Sequence, residues 1–192
     1  MKIRKKLSTV LIILGIFIIF FPKLQEKYYD YKQKQILKDI EIVENEPKTK
    51  DNTTKNIVKN ETKGNNPILI IDKINLKQPI LSGATKDNMA VSIATINPQK
   101  KAGDIGNYSI AGHRSYTYGR NFNRLGEVTE NDIIKVVSGN STFQYKITKK
   151  FLVKPDEVWV LDDTKDKKQI TLVTCEPMYN PTHRMIIQGE LF

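Results

Sequence analysis

The sequence predicts an all-β domain closed into a barrel of eight short strands, carried on an N-terminal apolar helix and a polar stalk. Three observations predict it. From Pro67 onward, short runs rich in Val, Ile, Leu, Thr and Tyr alternate with turn residues. Little of that stretch carries a helical period, and closing the sheet is the economical way to remove exposed strand edges. Ahead of it, Leu7 to Phe21 runs fifteen residues without a charge.

The N-terminal elements follow in order. Met1-Lys2-Ile3-Arg4-Lys5-Lys6 places four positive charges before the apolar run. At the helical rise the run spans about 22 Å, against the roughly 30 Å of a bilayer's hydrocarbon core. Snorkelling Lys5, Lys6 and Lys23, with Leu24 extending the apolar stretch, closes that gap by local thinning. Phe20-Phe21-Pro22-Lys23-Leu24-Gln25 offers no small-x-small cleavage site, so the segment reads as an uncleaved signal anchor rather than a signal peptide. Residues 1–24 are thus a cytoplasmic tip and a transmembrane signal anchor, with the N-terminus inside. In residues 24–42, Leu24, Tyr28, Tyr31, Ile36, Leu37 and Ile40 predict a loosely amphipathic helix, to lie on the membrane or pack on the domain. From Val43 to Asn66 the chain turns to Glu, Lys, Asn, Thr and Pro. Such a segment buries too little to offset its ordering entropy, which predicts a flexible tether. Residues 25–66 form juxtamembrane helix and stalk, and residues 67–192 the barrel.

Within the barrel, Ile68–Ile74 and Leu76–Leu81 are strands flanking a tight connection at Asn75. Thr85–Ile93 predicts a short helix, with Thr85 as N-cap and Asp87 in the first turn. Asn107–His113 is a strand and Asn121–Leu125 a helical turn. Ile133–Val137, Phe143–Phe151, Val158–Leu161, Ile170–Thr174 and Met185–Leu191 complete the eight strands.

Charge and cysteine content narrow the function. The chain of 192 residues carries 31 Lys+Arg against 21 Asp+Glu, a net charge of +10. Residues 1–65 hold fourteen basic and eight acidic side chains, and residues 66–192 hold seventeen and thirteen. Most of the excess sits in anchor and stalk, where anionic lipid attracts it. No Arg-rich stripe with interleaved aromatics appears, which argues against a nucleic-acid partner. One cysteine excludes an internal disulfide, leaving a buried small hydrophobe or a reactive thiol.

That cysteine, Cys175, ends the strand Gln169-Ile170-Thr171-Leu172-Val173-Thr174, at a rim where substrate has access. His113 ends another strand after Gly112, and Arg184 follows Cys175 by nine residues. A thiol, an imidazole and a guanidinium are the parts acyl transfer through a thioester needs. Consecutive residues of a strand face opposite ways, so if Arg184 and His113 face the cleft, His183 and Arg114 turn away. A planar donor fork beside the sulfur would hold a substrate carbonyl, stabilise its oxyanion and favour the thiolate. Nothing has the spacing of a zinc set or a phosphate-cradling loop, so no metal or cofactor is expected.

Thr171-Leu172-Val173-Thr174-Cys175 resembles the Thr-Leu-x-Thr-Cys signature of sortases, the cysteine transpeptidases of Gram-positive surfaces. Ile110-Ala111-Gly112-His113 and Thr182-His183-Arg184 resemble that family's histidine and arginine motifs, in the same order. The resemblance covers residues 67–192, and the anchor with its stalk agrees with it. It implies an eight-stranded sortase barrel in which Cys175, His113 and Arg184 are the catalytic triad. It also implies cleavage after Thr of a Leu-Pro-x-Thr-Gly-like sorting signal on surface proteins, and transfer to an amine of a cell-wall precursor. The location implied is the cell membrane, single-pass, with the catalytic domain outside. Thr174, Ala111 and Thr182 are the further substrate-binding candidates, and Ser115–Gly119 borders the groove. No second apolar span follows Phe192, no Asp-Pro-aromatic lid motif is present, and residues 155–168 lack the long helix of class B. A class D-like or class A-like enzyme is expected.

Three rivals use the same residues differently. A secreted cysteine protease would release acid to water, but papain-like enzymes place Cys before His. An L,D-transpeptidase shares the order His, Cys, Arg, yet would carry Gly before the cysteine rather than Thr174. A tethered binding module would bury Cys175.

Overall fold

The computed structural model describes residues 2–45 and 66–192, with side chains from Val10 to Glu41 and from Asn66 onward. Eight strands close into a barrel: β1 (Ile68–Ile71), β2 (Leu76–Leu81), β3 (Ile93–Thr95), β4 (Gly106–Ala111), β5 (Ile133–Ser138), β6 (Ser141–Val153), β7 (Lys168–Glu176) and β8 (His183–Leu191). Their order around the barrel is β1-β2-β3-β4-β7-β8-β6-β5. Pairing is antiparallel except for β2 with β3 and β4 with β7. Alternation along each strand sends Leu69, Ile71, Ile110, Ile134, Ile170, Leu172 and Ile187 into one core. Fully burying each such side chain contributes roughly 1.5–3 kcal/mol before the entropy of ordering it is counted.

The count of eight survives an exchange of members. Val158–Leu161, expected as a strand, is a 3-10 turn. A strand there would have no edge to join, because β7 is already flanked by β4 and β8, and β6 by β5 and β8. Only Val160 of the turn is buried, on the outer face of the sheet with Val153 and Ile186, and Phe151, Leu161 and Val173 pack around them. Val158 and Trp159 stay exposed, Trp159 stacked on the Phe151 ring. The eighth strand is β3, whose three residues are all buried and too short to show alternation. The expected short helix is α2 (Lys86–Val91), and its cap Thr85 accepts from Asn88 N–H at 3.2 Å. The helical turn expected at Asn121–Leu125 becomes a 3-10 turn at Leu125–Glu127.

Ahead of the barrel runs one helix, α1 (Lys2–Asn45), with Pro22 inside it. Its second half packs on the barrel. Ile40 is buried, Gln33 donates to Ser92 Oγ at 3.1 Å, and Lys77 pairs with Glu41 at 2.7 Å. Among the described residues no helix is long and apolar enough to cross a membrane. The expected anchor begins at Leu7, and the side chains of residues 1–9 lie outside the described ones. Most of the expected stalk, residues 46–65, lies outside them too.

Candidate active site

The site is built where β4, β7 and β8 run side by side. β4 and β7 are parallel and in register from Gly106 beside Lys168 to Ala111 beside Val173. Gly112 N–H extends the ladder, donating to the Val173 carbonyl at 3.0 Å. Tyr108, Ile110, Ile170 and Leu172 point into the core. The alternate residues Ala111, Val173 and Cys175 therefore share the outer face. His113, which lies two residues beyond the end of β4 rather than at its last position, joins Cys175 in one cavity lining. On the other side, Arg184 of β8 is the direct antiparallel partner of Cys175. Such partners hold their Cβ atoms about 4.5–5.5 Å apart on one face. The three side chains form a row across three strands.

Inward-facing residues fix that row from behind. One step before the pair, the Thr174 hydroxyl donates to the Gly112 carbonyl at 2.8 Å. One step after it, Arg114 forms an ion pair with Glu176. His113 and Cys175 are thus bracketed by two ties between the same two strands. Gly112 is required by packing, since a Cβ there would stand 2.5 Å from the Phe122 ring.

His113 and Cys175 line a cavity of about 300 Å³ together with Glu26, Tyr116, Arg120 and Met178. Tyr116 stacks on Tyr179 at 4.9 Å between centroids, tying the segment after His113 to the β7–β8 connection. Protein crowding one side of the imidazole lowers the pKa of His113 by desolvation first, and the Arg120 charge lowers it further. Arg120 itself is held by Asp30 of α1 at 2.8 Å. Arg184 lies on the opposite flank of the sulfur. Its Nη1 donates to the His183 carbonyl at 3.1 Å, and it pairs with no carboxylate among the described residues. A half-buried guanidinium so placed is free to meet an oxyanion.

The other expected residues are distributed around this row. His183 is the cross-strand partner of Glu176 and faces away from Cys175, its Nδ1 2.9 Å from Thr182 Oγ1. Thr182 therefore holds His183 and lies outside the cavity lining. Thr174 is buried and points inward, so its contact is with the histidine strand rather than the cavity. Ala111 shares the face of His113, two residues before it. Sequence reasoning missed Glu26, Arg120, Met178 and Pro181, all part of the cavity lining. Nothing local marks them: Glu26 is one acidic residue on a polar helix face, brought in only by the docking of α1.

Comparison with known proteins places the chain in a family. A family model described as a sortase domain matches residues 69–192. Sortase A of Staphylococcus aureus (strain NCTC 8325 / PS 47) is 32% identical over 177 residues, covering 88% of this chain and 84% of that protein. Sortase D of Bacillus subtilis (strain 168) is 28% identical over 170 residues, covering 83% and 84%. The match to Sortase A of Bacillus anthracis is 28% identical and covers 63% of this chain but only 57% of that protein. Among solved structures, a Clostridium perfringens Sortase D5 transpeptidase superposes with a TM-score of 0.68 at 26% identity, covering 83% of this chain and 98% of that one.

Proposed function

The chain belongs to the sortase family, and on that footing we propose that it is a membrane-anchored cysteine transpeptidase acting on a Leu-Pro-x-Thr-Gly-like sorting signal. Cys175 sulfur attacks the Thr carbonyl of the signal, and Arg184 stabilises the oxyanion of the tetrahedral intermediate. His113 protonates the leaving amine, a thioacyl enzyme forms, and His113 later takes a proton from the cell-wall amine that resolves it. The observation that carries this reading is the row itself: one thiol, with a base just past the end of one neighbouring strand and, on the other, a guanidinium that pairs with no carboxylate among the described residues. Relatives named Sortase A and Sortase D match at comparable identity, so class A-like and class D-like activity are distinguished by whether signals ending in Gly or in Ala are preferred.

The anchor reading is supported by α1. From Val10 to Phe21 its large apolar side chains are each exposed by at least half. An apolar surface of that extent needs a cover, and a bilayer supplies one. The domain boundaries 1–24, 25–66 and 67–192 follow the same reading, with the barrel outside a Gram-positive-type membrane.

Mass spectrometry of the full chain with a panel of sorting-signal peptides tests the mechanism. A thioacyl mass on Cys175, absent in Cys175→Ala, is the expected result. A thiol that forms no adduct and reacts with alkylating agents only after denaturation would instead establish a tethered binding module.

A further inference from the structure

We propose that Glu26 of α1 binds the second substrate, an amine that arrives as an ammonium ion. The inference rests on the transpeptidase reading above. Cys175 has two unlike flanks. Toward β8 lies Arg184, and beyond it the apolar cover of Val153, Val160 and Ile186. Toward β4 lies His113, and beside it the cavity whose lining includes Glu26 but not Arg184. An amine attacking a thioester must lie within hydrogen-bond reach of its base. The acceptor therefore occupies the His113 flank.

Charge on that flank is selective for a cation. Both arginines of the lining are matched by carboxylates, Arg120 by Asp30 and Arg114 by Glu176. Glu26 is half-buried and held only by a neutral group, its two oxygens 3.2 and 3.1 Å from Thr117 Oγ1. No cation pairs with it among the described residues. A carboxylate fixed in place, short of a counter-ion and sharing a cavity with a base and a nucleophile is a seat for an ammonium group. The docking of α1 through Asp30 and Gln33 fixes the helix that carries it.

Once seated, the ammonium group gives one proton to solvent. Its nitrogen lone pair forms the C–N bond to the thioester carbon and the C–S bond breaks. His113 takes the second N–H proton and returns it to the sulfur, leaving amide and thiol.

The test uses the full chain, a sorting-signal peptide and two probes at neutral pH: triglycine, whose amine is charged, and hydroxylamine, which is not. The ratio of kcat/KM for triglycine to that for hydroxylamine is read for each variant. In Glu26→Gln it falls about three- to tenfold, carried by a higher KM for triglycine. Glu26→Lys lowers it further, and Glu26→Asp restores part of it. An unchanged ratio in Glu26→Gln overturns the proposal, as does an equal loss with both probes, which would make Glu26 a shaping residue. Faster peptide consumption without any acceptor would overturn it as well, making α1 a block on the signal. Failure of wild type to form the Cys175 adduct would sink the transpeptidase reading itself, an outcome separate from all of these.

Discussion

The two flanks of Cys175 are built in different ways. The Arg184 flank is local: β7 and β8 are joined by a short connection, and Cys175 and Arg184, nine residues apart, are direct partners in one hairpin. The His113 flank is assembled from afar, combining β4, the segment through Arg120, and α1, whose Asp30 pairs with a residue ninety positions away. The difference teaches that the place of Arg184 beside Cys175 is set by the register of one hairpin, whereas the cavity beside His113 depends on tertiary docking. On the proposed mechanism the first flank should resist distant substitutions, and the second should respond to them.

The sharpest way to break the contrast is His113→Ala, expected to lower transpeptidation about 10²- to 10⁴-fold in steady-state assays. His183→Ala should stay at the wild-type rate, because that ring faces the other way. An equal loss in both would remove the structural distinction between the histidines. Arg184→Lys should cost about 10²-fold in kcat, since a point charge replaces a planar fork beside the developing oxyanion. The same variant should keep its melting temperature, because Arg184 makes no ion pair among the described residues.

Glu176→Gln tests the tie behind the row. It leaves Arg114 without its partner, and chemical denaturation should show a loss of about 2 kcal/mol, between the values for exposed and buried pairs. Activity per folded molecule should also fall, since His113 and Cys175 lose one bracket. Arg120→Gln should have the smallest effect. The Arg120 charge holds the His113 pKa down, so removing it raises that pKa. Resolution of the thioacyl enzyme needs neutral His113, so the acid limb of that step should move to higher pH in single-turnover measurements. A shift to lower pH would contradict the assigned electrostatics.

Most of the barrel was legible because half-buried strands alternate, and their ends are marked by Gly, Pro and Asn. Val158–Leu161 misled for a physical reason. Four apolar residues, two of them valine, suit either a strand or a cover, and only the closure of β6 and β7 elsewhere decides between them. β3 was hidden because three buried residues carry no period. The sortase-like motifs implied the trio Cys175, His113 and Arg184, and period-2 reasoning only paired His113 with Arg184 against His183 and Arg114. The ladder sets Arg184 beside Cys175 and His183 beside Glu176. Thr174 and Thr182 were drawn toward the site by their neighbours, yet their hydroxyls satisfy Gly112 and His183. Glu26 left no trace in the sequence, since a single carboxylate on a polar helix face looks like any solvated residue.

The continuity of α1 has a consequence for geography. Glu26 in the cavity follows Phe21, the last of the continuous exposed apolar run, by five positions, about 7.5 Å of helical rise. If Val10–Phe21 is seated in lipid, as proposed, the mouth of the cavity would lie within about two turns of the head groups. Quenching of a fluorophore at Tyr116 by lipid-borne quenchers measures that altitude, and emission unaffected by vesicles would refute it. On the proposed reading, an enzyme docked so low would meet precursors still tethered to the bilayer before finished wall, and its address would select its second substrate alongside its pocket.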